Sequence, residues 1–131
     1  MIALAKSIIH TSQMVDYALQ ESKDCKILQH NYCSGVSGAE INHEFKMFQQ
    51  FNGRCKNNTI SIVLSPKRID GRELTDKELR EISNTYMAKM NLQENQYIAI
   101  KHADRENNHV HIIANRIDFN GVAYKDKHIG Y

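Results

Sequence analysis

His102-Ala103-Asp104-Arg105-Glu106-Asn107-Asn108-His109-Val110-His111, followed by the apolar Ile112-Ile113-Ala114, is the stretch on which both fold and chemistry turn. Side chains on a strand alternate with period two, so His109 and His111 project from one face. The segment Gln96-Tyr97-Ile98-Ala99-Ile100-Lys101-His102 also reads as a strand, and the polar run from Ala103 to Asn108 reads as the turn between them. Paired as a hairpin, the two strands bring His102 opposite His109, roughly 4.5–5.5 Å away at Cβ. Three imidazoles then crowd one face at the mouth of the hairpin, the layout of a three-histidine metal site with open coordination positions. The plainer reading is a polar hairpin end carrying three solvated histidines.

Upstream, the apolar run Ile2 to Ile9 reads as a buried strand, and Thr11 or Ser12 as the cap of a helix carrying Met14, Val15, Ala18 and Leu19 at helical spacing. A weak strand or extended loop covers Cys25 to Tyr32, and the Gly/Ser-rich Cys33 to Gly38 reads as a loop. Ile41, Phe45, Phe48 and Phe51 make an amphipathic helix over Ala39 to Phe51, with Gly53 as its stop. Asn58 to Leu64 is a strand closed by Ser65-Pro66. Thr75-Asp76-Lys77-Glu78 is a capping box opening a helix with Leu79, Ile82, Tyr86, Met87 and Met90 on one side, and Asn91 favours its end. After the hairpin, Asn120-Gly121 is a second turn leading to Val122-Ala123-Tyr124, which completes a three-strand meander. The order predicts an α+β fold: an antiparallel sheet of about five strands with helices packed mainly on one face.

The chain has 131 residues, which fits a single domain spanning 1–131 with one core. It ends at Tyr131 in a polar stretch with no closing element, which reads as a domain truncated at its C-terminus. No apolar run approaches the roughly 18 residues of a membrane span, and the N-terminal apolar run is too short for a secretory signal. Cys25, Cys33 and Cys55 are an odd number without Cys-x-x-Cys spacing, which suits reduced thiols and a cytoplasmic location. A formal charge of +2 permits a nucleic-acid partner without arguing for one.

His102-x-Asp104-x-x-Asn107-x-His109-x-His111 resembles the third motif of the plasmid mobilisation relaxases, the MobA/VirD2-like HUH endonucleases that nick one DNA strand at a transfer origin. Asn115-Arg116-Ile117-Asp118 with Asn120-Gly121 resembles the family's Asn-Arg-Val-Asp and Gly continuation. Leu64-Ser65-Pro66, Leu74-Thr75-Asp76 and Tyr86-Met87-Ala88-Lys89-Met90 look like its middle strand and helix. Asp16-Tyr17-Ala18-Leu19-Gln20 looks like the segment bearing the nucleophilic tyrosine. Two departures stand out: Asn58-Thr59 replaces a histidine that many relatives carry before the middle strand, and relatives continue for several helices beyond the third motif.

The resemblance implies a reaction. His102, His109 and His111 would hold a divalent ion (Mn2+ or Mg2+, with Zn2+ or Ni2+ as further options), and Tyr17 would attack phosphorus. The result would be a 5′-phosphotyrosyl link and a free 3′-hydroxyl. A phenol, with a pKa of about 10, is a poor nucleophile at neutral pH unless it is deprotonated or its target polarised. A divalent cation supplies the second condition, and neutral imidazoles suit manganese, zinc or nickel better than magnesium. Asp104 has two readings of equal weight: a carboxylate orienting a ligating histidine, or a turn aspartate bonding its own backbone. Glu106 ranks below the histidines as a fourth ligand, and Asn107 either positions the turn or touches the phosphate.

Tyr17 competes with a core role beside Met14 and Ala18, and Tyr32 is the rival nucleophile. His10 and His43 lack partners at ligand spacing. Lys101, Arg105 and Arg116, with Lys67 and Arg68, are candidate phosphate contacts, although solvated surface cations are the commoner case. Implied partners are single-stranded DNA at a transfer origin, accessory mobilisation proteins and a coupling protein, with no membrane insertion. Two competing readings are a non-catalytic, metal-stabilised or vestigial DNA-binding module, and an HUH replication initiator or transposase. Motif order opposes the initiator, because such proteins place His-x-His before their tyrosine whereas Tyr17 precedes it here.

Overall fold

Alternation along the central strands sorts the apolar side chains into two sets, and the fold is built around that division. The computed structural model describes residues 2–20, 25–103 and 108–125. Its elements are β1 (Ile2–Ile8), α1 (Thr11–Gln20), β2 (Lys26–Asn31), α2 (Gly38–Gln49), β3 (Thr59–Ser65), α3 (Asp76–Lys89), β4 (Tyr97–Ala103) and β5 (Asn108–Asn115). The strands form one antiparallel sheet in the order β1-β3-β5-β4-β2.

Ile98 and Ile100 of β4 and Ile113 of β5 pack with Val15 and Ala18 of α1 and with Ile41 and Phe45 of α2. The alternate positions Tyr97, Ala99, Val110, Ile112 and Ala114 join Ile60, Ile62 and Leu64 of β3 against Leu79 and Met87 of α3. Two of the three helices therefore cover one face and α3 covers the other. Each buried Ile, Leu or Phe contributes about 1.5–3 kcal/mol relative to exposure, so the two layers hold the sheet from both sides.

Local signals are met where they are self-contained. Thr75 and Glu78 form the capping box, and Asn91 takes the left-handed conformation at φ 60° as Leu92 N–H donates back to the Met87 carbonyl at 2.8 Å. Ser37 caps α2, accepting from Glu40 N–H. Other expectations are corrected. β1 is an edge strand, with Ile2 65% and Leu4 67% exposed, so its apolar run is not a buried strand. α2 ends at Gln49 with Gln50 as its cap, before Gly53 is reached. The last meander strand shrinks to a single bridge, Ile117 with Ala123, around a turn in which Gly121 has φ 77°.

Candidate active site

The register of the central hairpin places the histidines. His102 pairs directly with His109, and Ile100 with His111. All three imidazoles fall on the face that carries Ile98, Ile100 and Ile113, which is the face covered by α1 and α2. The His102 and His111 rings lie 4.0 Å apart between centroids, tilted by 35°. His102 is buried, while His109 and His111 are half-buried.

α1 runs from one end of the sheet to the other. Its first residue, Thr11, shares a hydroxyl–hydroxyl hydrogen bond with Thr59 at the start of β3. Seven residues later, about 10 Å of helix, the Ala18 carbonyl accepts from Nε2 of His102. Val15 and Ala18 are fully buried, and Tyr17 beside them is 56% exposed on the outward side of the last turn. α2 fixes this helix: Gly38 N–H donates to Oδ1 of Asp16 at 2.8 Å, a carboxylate set at the positive end of α2. A Cβ on Gly38 would collide with the Ser12 carbonyl, so only glycine permits this approach.

Sequence reasoning missed two partners of the histidines. One is the Ala18 carbonyl at His102. The other is Ser65, whose hydroxyl lies 3.0 Å from Nδ1 of His109. Ser65 follows Leu64, which pairs with Val110, and so stands across from His109. The signal for it lay in Leu64-Ser65-Pro66, but reading it required knowing that β3 is the neighbour of β5.

The remaining sequence-predicted residues divide. Asp104, Arg105 and Asn107, with Glu106, lie outside the described residues. Lys101 points to the α3 face and donates to Asp76 at 2.8 Å. With Lys26 it holds the Asp76 carboxyl down to about 2. Arg116 is buried at the far end of β5, donating through Nε to the Tyr124 carbonyl at 2.8 Å and through Nη1 to the Asn57 carbonyl at 3.2 Å. Neither cation is brought to the histidines. Tyr32 follows β2 at the end where Asn31 pairs with Tyr97, five strand steps or roughly 17 Å from His102 along β4. There it packs edge-on against Phe119 and reaches Glu94. Of the two candidate nucleophiles, only Tyr17 sits at the histidine end.

Among the described residues no group of three His, Cys, Asp or Glu side chains is gathered to hold a metal ion. The donor set nonetheless fits one in kind. Ligating histidines characteristically donate their distal N–H to a carbonyl or similar partner, which fixes the tautomer and leaves the other nitrogen as ligand. Ala18 and Ser65 offer His102 and His109 that anchorage.

A family model for the MobA/VirD2-like relaxases, nuclease domain, matches residues 17–131. The chain belongs to that family. The match opens on Tyr17 and takes in all three histidines, and it makes this relaxase domain a DNA-binding protein of the nuclease class. No curated protein and no solved structure matches it. The five-stranded antiparallel α+β sheet is consistent with a relaxase domain, and no helix among the described residues is long and apolar enough to cross a membrane.

Proposed function

We propose that residues 1–131 form a single nicking-joining domain that cleaves one strand of DNA at a transfer origin by tyrosine transesterification. The observation that carries this reading is the meeting of His102, His109 and His111 with the exposed last turn of α1 on one sheet face. The Tyr17 oxygen forms a bond to phosphorus as the bond to the 3′-oxygen breaks. The phenolic proton passes to solvent or a nearby base, and the departing 3′-oxygen takes one up. One phosphodiester is exchanged for another, so the 3′-hydroxyl can later attack the phosphotyrosine and reseal the strand.

His102, His109 and His111 would hold a divalent ion, Mn2+ or Mg2+ with Zn2+ or Ni2+ as further options, whose charge would stabilise the developing phosphoryl oxyanions. Ala18 and Ser65 orient His102 and His109 toward that role, and Asp104 would be a further orienting group. Tyr17 is exposed on that last turn, beside the buried Ala18. Arg105 and Asn107 would contact phosphate. Such an enzyme would work in the cytoplasm with accessory mobilisation proteins and a coupling protein.

The test is to incubate the chain with manganese and single-stranded oligonucleotides tiled across a candidate origin, looking for a DNA-linked protein band. Tyr17→Phe should abolish the band and Tyr32→Phe should leave it. A band that survives Tyr17→Phe refutes the assigned nucleophile. A second reading is a metal-stabilised or vestigial DNA-binding module without catalysis. It predicts oligonucleotide binding with no covalent product from any variant.

A further inference from the structure

A second surface of different chemistry lies at the other end of β5, six strand steps or about 20 Å from His109. Here the connection after α2 and the turn after β5 form the two walls of a cleft of about 490 Å³. Among the described residues its lining includes Arg54, Lys56, Lys125 and Arg116 and no carboxylate. Arg54, Lys56 and Lys125 are exposed. Arg116 forms the floor, its guanidinium joining the Asn57 carbonyl of one wall to the Tyr124 carbonyl of the other. Asn52 ties the rims together, donating to the Gly121 carbonyl at 3.1 Å while accepting from Cys55 N–H at 3.2 Å. The cleft is thus a built feature, with its cations mounted on cross-linked backbone.

Aromatic rings adjoin it. Phe51, the residue before Asn52, is 67% exposed, and Phe119, in the turn that Asn52 holds, is 42% exposed. Phe119 is braced edge-on by Phe48 at 4.7 Å and Tyr32 at 5.2 Å between ring centroids. Gly121 lies so close to Phe51 that a Cβ there would stand 3.0 Å from the Phe51 Cβ. Two acidic groups border the cluster: Glu94, which accepts from the Tyr32 hydroxyl, and Asp118, whose carboxylate is engaged within the turn by the Asn120 and Val122 N–H groups. Clustered cations beside exposed, braced aromatics suit a flexible polyanion with flat bases, because the cations neutralise phosphates while the rings stack on unpaired bases. A duplex offers the charges without the free base faces.

We propose that this cleft and the Phe51–Phe119 edge form a second binding surface for single-stranded DNA, remote from the histidines. It grips the strand away from the point of cleavage. The inference builds on the reading of the chain as a nicking enzyme, and a binding readout separates the two.

The experiment measures fluorescence anisotropy of the full chain with an oligothymidylate of about 20 nucleotides, titrated across salt concentrations. The double variant Arg54→Glu with Lys56→Glu should lose about tenfold or more in affinity, and its log–log salt slope should fall by about 1.4, since each single-strand phosphate contact contributes about 0.7. Phe51→Ala should weaken binding about tenfold with the salt slope unchanged. His109→Ala should leave these effects intact. A two-charge control on α3, Lys77→Glu with Lys89→Glu, should retain wild-type affinity. Wild-type binding by the cleft variant, or equal losses from the α3 control, overturns the surface. A duplex bound as tightly as the single strand, with Phe51→Ala silent, overturns its assignment to unpaired DNA. Failure to form a covalent adduct, with these binding effects present, counts against the nicking reading alone.

Discussion

The two ends of β5 carry polar residues of the same family-like run and use them in opposite ways. At the histidine end, His109 is half-buried, and the Ser65 hydroxyl lies 3.0 Å from its Nδ1. At the other end Asn115 is fully buried and saturated. Its Nδ2 donates to the Phe45 carbonyl at 3.1 Å and to Gln96 Oε1 at 3.0 Å, while its Oδ1 accepts from Gln49 Nε2 at 3.2 Å and Ile117 N–H at 3.0 Å. A buried amide whose donors and acceptor are engaged by both side chains and backbone is a fastener, joining α2, the residue before β4 and the chain after β5. A half-buried ring held by a hydroxyl from the neighbouring strand is equipment for something else. Motif membership alone does not separate these roles; burial does.

Four substitutions would break or sharpen that contrast. Asn115→Ala should have the largest effect, destabilising the fold by about 3 kcal/mol or more, because several buried donors and acceptors lose their partner at once. Urea denaturation checks it, and a loss under about 1 kcal/mol would mean the network is not the fastener described. His109→Ala should do the reverse: nicking falls about 100-fold or more, while the urea midpoint stays near that of the parent chain. Ser65→Ala should lower manganese affinity by about tenfold, the range seen when a histidine loses its orienting partner, and calorimetry reads this directly.

The smallest effect belongs to Asp76, paired with Lys101 and Lys26 on the opposite face. Its carboxyl is held near 2, below the ordinary 3.8, chiefly by hydrogen bonds from Lys101 and Lys26. A depressed carboxyl contributes stability that is complete above the ordinary value and fades as pH falls from about 4 toward 2. Solvent screening limits the pair to about 1 kcal/mol at most. Asp76→Asn should therefore flatten the acid limb of the stability curve slightly and leave nicking at neutral pH unchanged.

What could be read from the residues was what depends on near neighbours. The parity of His102, His109 and His111, the Thr75–Glu78 cap and the Asn91 stop all follow from spacings of a few residues, and the fold bears them out. What failed depends on remote contacts. Ile2 and Leu4 are as apolar as any core strand, yet β1 lies at an edge where no helix covers them. Where Lys101 and Arg116 are held was likewise not legible in one dimension, because their partners Asp76, Asn57 and Tyr124 are brought near only by the folded sheet. Ser65 went unnoticed for the same reason, since strand order is a tertiary fact.

The bulge in β2 shows how differently the strands tolerate a change of length. Between Ile27 and Gln29 the register with β4 slips, and Leu28 is accommodated because β2 has a neighbour on one side only. β4 and β5 are flanked on both sides and have no such slack. An odd insertion or deletion in either would invert the remainder of the strand and drive imidazoles into the greasy layer under α3, whereas changes by pairs would conserve their facing. Loop grafts and affinity tags in this domain are therefore best confined to its turns, and a one-residue deletion at Lys101 should silence the catalyst even if the chain still folds.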